Sequence, residues 1–570
     1  FQFTNNMNIF KGDHTYTVGF SFEKFEFDNS FNLGVYGGTF GFPIANDYFG
    51  NFRSVQEFLD NAQPGGLIDG LIQGAEGTFA NNNQFPDGEG WALAETNVGQ
   101  LSFYVQDEWS ATDNLKLTYG VRFDKPLYFD TRDKISENIA RKGTYQPDNL
   151  YYNPNTGEQT TINSEQLPNN NWLISPRLGF NWDIKGDKTT QLRGGTGVFT
   201  GRLPFVWLGN QVQGVDFFFY QAVDPDFKWP QVWRTNLGVD HRFENNIVLT
   251  ADVSYTKDMN AAHVQNWGLN SPSGTLNAPG DNRPVYEAGD YATNAFGGST
   301  SAYVFTNSDK GRIWNASLKA QKNFNNGLYA MAAYSYLNAK DVNSIEAEIT
   351  GDAFDFNPNL GNANQDVLGF SKYGDTHRFI GVLSKNFEYG QGKWNTTIST
   401  FFEYGQGARY NYTYAGNING DSSFQNNDLL YIPTAAEVGQ MQFSGAGQAE
   451  AFEAYIQQDD YLSENRGEYM ERYGALAPWR GRWDLKLLQD YTFNNDNKIQ
   501  FSVDVLNLGN LINSDWGIIQ QPNNVSPIGV SVDATNTPTY TFDPSLTKTY
   551  GFDAGLASRW QAQFGVRYIF

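Results

Sequence analysis

Apolar and polar residues alternate along the last twelve residues of the chain, RWQAQFGVRYIF. The apolar parity consists of Trp560, Ala562, Phe564, Val566, Tyr568 and Phe570. The polar parity consists of Arg559, Gln561, Gln563, Gly565 and Arg567. Because successive side chains of a strand point to opposite faces, this pattern predicts a strand with one apolar face and one polar face.

The same pattern recurs in pairs of segments, which predicts β-hairpins. LSFYVQDEWSATDNLKLTYGVRFD (101–124) alternates on both sides of a turn at 110–114, and WRTNLGVDHRFENNIVLTADVSY (233–255) repeats this design. Comparable turns are predicted near Gly12, 185–188, 325–327, 389–392 and 494–497. Seven hairpins and the closing strand give about 15 strands.

Short and long connections alternate between these strands. Long polar segments are predicted at 28–100, 125–173, 201–230, 258–310, 341–371, 411–480 and 510–555. Compact soluble domains favour connections of about 2 to 6 residues throughout. Tight turns on one rim and large loops on the other are typical of membrane barrels. We therefore predict an all-β fold, a transmembrane antiparallel β-barrel with long extracellular loops and short periplasmic turns.

Composition supports a barrel and excludes other classes. The mean hydropathy is −0.53, and no apolar run approaches the roughly 18 residues of a spanning helix. Phe 45, Tyr 32 and Trp 14 nevertheless make the chain rich in aromatic residues, as expected where every second strand residue faces lipid. The net charge of −23 argues against a nucleic-acid partner. The absence of cysteine excludes disulfides and thiolate metal sites.

The alternation also predicts which way side chains face. A charge at mid-bilayer depth costs about 2 to 4 kcal/mol, so polar side chains should line the lumen. The residues predicted to face the lumen are Asp240, Arg242, Asp484, Lys486, Arg559, Gln561, Gln563 and Arg567. Most strands that run toward a short turn end on an aromatic residue of the apolar parity. These residues, predicted to form one lipid-facing ring at the membrane boundary, are Trp109, Trp182, Phe243, Phe324, Phe387, Phe493 and Phe570.

Candidate chemistry is sparse. The histidines His14, His241, His263 and His377 lie far apart and lack the spacing of a zinc site. We expect no enzymatic activity. NINGDSSFQNND has oxygen-bearing side chains at positions 1, 3, 5, 7 and 12 of a calcium-type loop. The candidate Ca²⁺ ligands are Asn417, Asn419, Asp421, Ser423 and Asp428. The alternative is a polar turn that uses Asn and Gly for its backbone angles.

Several stretches resemble a known family. YVQDEWSATDNLKLTYGVRFD, ISPRLGFNWDIKGDKTTQLRGGTGVF, DVLNLGNLINSDWG and the terminal QFGVRYIF are similar to the barrel of TonB-dependent outer-membrane receptors. NINGDSSFQNNDLLYIP and YLSENRGEYMERYGALAPWRGRWDLKL resemble the Bacteroidetes branch with its SusC-like and Oar-like members. The resemblance implies a barrel of about 22 strands with an N-terminal plug, energised by an inner-membrane TonB complex. It also implies that barrel-assembly machinery reads the last strand.

The strand count predicts how the chain relates to a whole barrel. An odd number of alternating strands would leave a parallel pair at closure, whereas bacterial single-chain barrels have even counts. We therefore expect residues 1–570 to be the C-terminal part of an outer-membrane barrel whose first strands are absent from this chain. The N-terminal plug that the resemblance implies is also not found in this chain.

Two functions from different classes remain open. The first is TonB-energised uptake of a nutrient, whether glycan, peptide or metal chelate, across the outer membrane of a Gram-negative bacterium. The second is a structural or scaffold barrel of a multi-protein assembly that transports nothing itself. Expected partners are outer-membrane lipids, the assembly machinery, TonB and a surface lipoprotein over the loops. Short surface helices are predicted at 54–62 and within 447–474.

Overall fold

One large antiparallel sheet dominates the computed structural model, which describes residues 1–30, 54–61, 63–66, 93–142, 146–213, 221–294, 297–344, 349–493 and 497–570. This sheet has 16 strands, and all but the short Gly369–Phe370 follow one another in chain order. The long strands are β1 (Gln2–Lys11), β2 (His14–Ser30), β3 (Leu93–Thr112), β4 (Leu115–Leu127), β5 (Leu173–Asp183), β6 (Thr190–Thr200), β7 (Gln231–Arg242), β8 (Ile247–Asp258), β9 (Arg312–Asn323), β10 (Leu328–Asp341), β11 (His377–Tyr389), β12 (Trp394–Gly405), β13 (Arg480–Thr492), β14 (Lys498–Leu506) and β15 (Gln561–Ile569). The predicted strand number and hairpin order are confirmed.

Short turns join the strands of each hairpin at one end of the strands, which we call the turn edge. β1 and β2 are separated by two residues, of which Gly12 has φ +58°. Asn246 adopts φ +63° before β8, and Gly327 adopts φ +78° before β10. Glycine and asparagine tolerate this left-handed conformation better than other residues, which explains their place in the turns. Within the predicted turn at 494–497, residues 494–496 lie outside the described residues.

The long connections contain helices and small sheets of their own. The helices are α1 (Val55–Asn61), α2 (Thr131–Lys142), α3 (Phe205–Gln213), α4 (Thr350–Asp355), α5 (Ala435–Val438), α6 (Gln448–Gln458), α7 (Asp460–Glu464) and α8 (Leu508–Ile512), with 3₁₀ turns at Ala288–Asp290 and Leu556–Ser558. The short strands are Tyr151–Tyr152, Gln159–Thr160, Gln221–Val223, Ala261–Asn266, Gly274–Thr275, Pro284–Val285, Tyr303–Ser308, Arg409–Tyr410, Tyr414–Ala415, Tyr431–Ile432, Glu468–Tyr469, Ala475–Leu476, Gln520–Pro522, Ile528–Val532, Pro538–Phe542 and Tyr550–Phe552. Helices α1, α6 and α7 confirm the helical segments expected from the sequence.

The apolar core lies in these long connections and not under the large sheet. Among the described residues, Val98 and Leu173 are the only buried apolar side chains that belong to the long strands. The largest core cluster joins loop residues from Leu276 to Phe542 and includes Tyr412, Phe452 and Tyr455. We call this packed assembly of loops the cap. No described part of the chain therefore covers the apolar face of the long strands, as lipid contact requires.

The large sheet has two outer edges. In the part of the chain that the structure describes, β1 pairs only with β2, and β15 pairs only with β14. Because every neighbouring pair is antiparallel, the two edge strands run in the same direction. No helix among the described residues is both long and apolar enough to cross a membrane.

Candidate functional site

One face of the large sheet carries a ladder of charged groups. Asp240 lies opposite Thr250 and accepts a hydrogen bond of 2.6 Å from its hydroxyl. Arg193 Nε donates to Asp240 at 3.0 Å, and Arg193 Nη2 donates to Asp252 at 3.0 Å. The three strands β6, β7 and β8 are thus linked by side chains on the face predicted to line the lumen. Arg242 shares this parity and is exposed at the end of β7.

The predicted lumen residues of the last three strands also share a face. Lys486 lies opposite Asp504 and donates to it at 2.7 Å, and Asp504 lies opposite Gln563. Asp484, two residues from Lys486, accepts 2.9 Å from Arg482 Nε. The other members have these places: Arg567 lies opposite Gln500, Gln561 begins β15 opposite Leu506, and Arg559 precedes the strand. That this common face is the lumen stays a prediction.

The predicted aromatic ring lies at the turn edge of the sheet. Six of the seven residues lie within two residues of the end of their strand, and Trp109 lies three residues before the end of β3. Six of them are exposed, whereas Trp109 is half-buried because its ring stacks on His14 with centroids 5.5 Å apart. The ring as a single belt in the membrane remains a prediction.

Strand register provides a geometric requirement for such a belt. Residue pairing relates each ring member to the next through two strand-to-strand steps. Relative to the residue paired with its predecessor, each next member is displaced toward the turn edge by 2, 4, 2, 2, 4 and 0 residues in turn. The total displacement is 14 residues over 12 steps. An average stagger of about 1.2 residues, roughly 4 Å, over a strand spacing of roughly 4.8 Å corresponds to a tilt of about 39°. Membrane barrels have tilts of roughly 35 to 45°. The register is therefore compatible with one common height.

A polar triad interrupts the apolar face near the same edge. His14 Nδ1 and Asp107 Oδ2 lie 2.8 Å apart, and the Tyr119 hydroxyl donates to Asp107 Oδ2 at 2.6 Å. All three residues have the parity of the apolar faces of β2, β3 and β4. The alternation of apolar and polar residues does not predict the triad, because Asp107 is a single polar residue among the apolar side chains of its strand face. In the sheet, Tyr119 lies directly opposite Asp107, whereas His14 lies opposite Trp109 and reaches Asp107 diagonally.

The predicted calcium loop forms a buried corner of the cap. Asp421 is buried, and its carboxylate accepts hydrogen bonds from the Asn417 side chain at 3.2 Å and the Ser423 backbone at 3.0 Å. Asn419 Nδ2 lies 3.4 Å from the other carboxylate oxygen. Asp428 is bound differently, since its Oδ2 accepts 2.9 Å from the backbone N–H of Ile418. Among the described residues, no group of three or more His, Cys, Asp or Glu side chains is placed to hold a metal ion.

Buried charge surrounds this loop. Arg283 and Asp281 form a fully buried ion pair of 2.8 Å, and Arg283 Nη1 lies 3.9 Å from Asp428 Oδ1. Burial, reinforced by the charge of Asp421, raises the pKa of Asp428 to about 8 despite the nearby guanidinium. Burial and Asp421 also raise the pKa of Asp355 to about 8. Carboxylates therefore outnumber cations in this corner of the cap.

A cavity of about 370 Å³ opens beside the buried charges. Its wall is mainly apolar and includes Pro284, Pro358, Val367 and Met470. Asn359, which also lines the cavity, donates to Asp421 at 3.1 Å. Ligand sites are concave and mostly apolar with a few placed polar groups, and their volumes begin at roughly 300 Å³. The cavity has the size and the lining of such a site.

Comparison with known families addresses the sheet directly. Residues 1–219 match the family model of an outer membrane beta barrel domain. The fold is that of an outer-membrane β-barrel. The match, the uncovered apolar face and the short-turn edge agree on the location, which is the outer membrane of a Gram-negative bacterium. A comparison of the sequence with curated proteins finds no match.

Solved structures of transporters and receptors are similar in part. The outer membrane transporter YddB from Escherichia coli is 12% identical with a TM-score of 0.44, and 100% of this chain covers 54% of it. The siderophore receptor PirA from Acinetobacter baumannii is 9% identical with a TM-score of 0.43, at 100% and 54% coverage. The ferric enterobactin receptor PfeA from Pseudomonas aeruginosa is 10% identical with a TM-score of 0.44, at 100% and 52% coverage. The chain spans about half the length of these structures.

Proposed function

We propose that the protein is an outer-membrane transporter barrel that takes up a nutrient under the control of TonB. The observation that carries this proposal is a ligand-sized cavity in a packed cap, held over a sheet with one charged face and one lipid-compatible face. A charged inner face provides a hydrated path, and a packed cap provides fixed side chains that select a substrate. The resemblance to TonB-dependent receptors implies that an inner-membrane TonB complex supplies the energy for uptake.

We also propose that the sheet is one part of a larger barrel. The edge strands β1 and β15 run in the same direction, so joining them directly would create a parallel pair. Antiparallel strands upstream would satisfy both edges, and a plug would occupy the lumen, as in barrels of about 22 strands. A SusC-like or Oar-like arrangement, with a surface lipoprotein on the cap, is the finer form of this proposal.

Uptake measurements test the transport function. Cells that lack the gene should lose accumulation of one nutrient class, tested as glycan, peptide and metal-chelate pools, and dissipating the inner-membrane proton gradient should have the same effect. If no uptake differs while a multi-protein assembly copurifies with the barrel, the scaffold alternative replaces this proposal.

A cavity variant tests the place of recognition. Val367 lines the cavity with 53% of its surface exposed, so Val367→Trp should fill the space without disturbing the core. We expect substrate affinity to fall at least about ten-fold, because displaced ligand atoms lose their contacts. Val525→Trp adds the same ring at an exposed site that does not line this cavity and should bind normally. Equal binding by both variants would remove the cavity from the account.

A further inference from the structure

A second cavity, of about 710 Å³, lies at the end of β4 that is remote from the turn edge. Its wall includes Lys125 of β4, Phe129 just after this strand, Arg132 in the first turn of α2, and the loop 166–171. We call it the rim cavity. It shares no lining residue with the cavity in the cap. Its volume lies within the range of roughly 300 to 1,000 Å³ that is typical of ligand sites.

Lys125 places this cavity at the membrane boundary. It shares the parity of Phe123 on the apolar face, opposite to that of Asp124. Lys125 is ten residue steps from Leu115, which pairs with Trp182 of the predicted aromatic ring. At about 3.4 Å per step and a tilt of about 39°, it lies roughly 26 Å above that ring. Because the apolar band of a membrane barrel is about 25 Å tall, Lys125 lies where hydrocarbon gives way to outer-leaflet headgroups.

The two cations of the rim cavity are not neutralised by the protein. Among the described residues, neither Lys125 nor Arg132 forms an ion pair, and Asp133 is the only acidic residue in the described wall. Lys125 Nζ lies 5.9 Å from the centre of the Trp172 ring, a cation–π contact that positions the ammonium group and keeps its charge. The first turn of α2 adds the partial positive charge of a helix N-terminus. The cavity therefore favours an anion.

A strained residue completes the wall on its apolar side. Phe129 has φ +42°, a left-handed conformation that is unfavourable by about 1 to 3 kcal/mol for a residue other than glycine. Its ring contacts Phe22 of the apolar face, with ring centroids 6.4 Å apart, and lies 5.0 Å from Lys24 Nζ. Lys24 is paired with Glu26 and adds little free charge. The strained backbone thus holds an aromatic ring beside two free cations, at the depth where aromatic rings favour the membrane interface.

We propose that the rim cavity binds the phosphate headgroup of an outer-leaflet lipid, with the Lys125 ammonium and the Arg132 guanidinium on the phosphate. The Trp172 and Phe129 rings then lie beside the apolar part of the lipid. An arginine can donate two parallel hydrogen bonds to a phosphate, and a lysine acts on it as a point charge. Such a site belongs to the outer wall of the barrel and does not depend on the substrate that enters the lumen. It rests on the predicted facing of the sheet, which Leu237→Arg tests independently.

Native mass spectrometry measures the binding of this lipid directly. Full protein in detergent, freed of lipopolysaccharide, is titrated with phosphorylated lipid A and with the same lipid after enzymatic removal of its phosphates. We expect one retained molecule of lipid A, and the dephosphorylated lipid should bind at least about ten-fold more weakly because it lacks the charge-assisted hydrogen bonds. Equal binding of the two lipids would overturn the proposal. Displacement of lipid A by an equal concentration of inorganic phosphate would also overturn it, because the cavity would then take soluble phosphate.

Two matched double variants separate the cavity from a general attraction of cations to the membrane surface. Lys125→Gln with Arg132→Gln should weaken lipid A binding at least about ten-fold. Lys257→Gln with Arg312→Gln removes one lysine and one arginine that pair on the apolar face of β8 and β9 and do not line the cavity. Lys257 is ten residue steps from Ile247 at the turn edge, so its height is similar.

The control double variant should bind lipid A like the wild type. An equal loss of affinity in both double variants would refute a site in the rim cavity. If the Lys125→Gln and Arg132→Gln protein failed to fold, the comparison of the two lipids on the wild-type protein would still decide.

Discussion

Replacing Leu237 with arginine tests the facing of the large sheet at its most sensitive place. Leu237 lies near the middle of β7 with 47% of its surface exposed, on the parity opposite to Asp240. Leu237 is six residue steps from Phe243, so at about 3.4 Å per step and a tilt of about 39° it lies roughly 16 Å above the predicted aromatic belt. The apolar band of a membrane barrel is about 25 Å tall. Leu237 should therefore face lipid close to mid-bilayer depth.

The expected effect follows from this depth. An arginine at the bilayer midplane destabilises a barrel by about 2 to 4 kcal/mol, which lowers the ratio of folded to unfolded protein by roughly 30- to 900-fold. The matched control is Asn236→Arg, because Asn236 is the preceding residue and points to the charged face with Arg234 and Asp240. This control should cost little, since the added charge stays in water.

The assay is the amount of folded barrel in isolated outer membranes, read from the heat-dependent mobility of the full protein on gels. Leu237→Arg should be strongly depleted, and Asn236→Arg should match the wild type. Equal amounts of both variants, or the reverse order, would refute the assigned facing and the aromatic belt that shares its parity.

The remaining predictions concern a loop region and the polar triad. Burial in the short strand Ala261–Asn266 lowers the pKa of His263 to about 4 from 6.5, so the unfolded chain takes up a proton that this folded loop region does not. The stability of this loop region should fall by on the order of 3 kcal/mol as the pH drops from about 6.5 to about 4, and His263→Phe should flatten this dependence in calorimetric scans. An unchanged or steeper slope in the variant would contradict the reasoning. His14→Leu leaves Asp107 with one fewer hydrogen-bond partner on the face predicted to contact lipid. It should destabilise the folded barrel by roughly 1 to 3 kcal/mol and so lower the folded yield. Replacing His14, Asp107 and Tyr119 together by Leu, Leu and Phe should restore the yield, because no polar group is then left without a partner. If the yield of the triple variant stayed low, the triad would have a role beyond the pairing of its own polar groups.

The alternation of apolar and polar residues predicted the strands because one face of a membrane strand suits lipid and the other suits water. Hairpin order, turn edge and strand number were all readable for this reason, and Gly12 and Asn246 mark turns through their backbone conformation. Classifying each residue only as apolar or polar does not explain Asp107. Its partners lie on β2 and β4, and a pairwise hydrogen bond across strands leaves no periodic trace in one segment.

The cap was beyond sequence reasoning for a different reason. Tyr412, Phe452 and Phe542 pack into one core although they come from loops far apart in the chain, and no local period encodes that contact. The calcium site at 417–428 stays a prediction, and the spacing of its residues does not predict the hydrogen bonds that this loop makes. Asn359, which donates to Asp421, belongs to another loop, and Asp428 accepts a hydrogen bond from the backbone N–H of Ile418. Both contacts depend on tertiary structure.

The most direct test of the central claim is a cysteine scan of β7, which is simple because the chain contains no cysteine. Single cysteines at positions 233 to 240 would carry spin labels in the full protein reconstituted in lipid, with collision rates measured for oxygen and for a water-soluble nickel chelate. We expect a period of two, with oxygen favoured at 233, 235, 237 and 239 and the chelate favoured at 234, 236, 238 and 240. A uniform profile, or one with the two parities exchanged, would contradict the barrel assigned here.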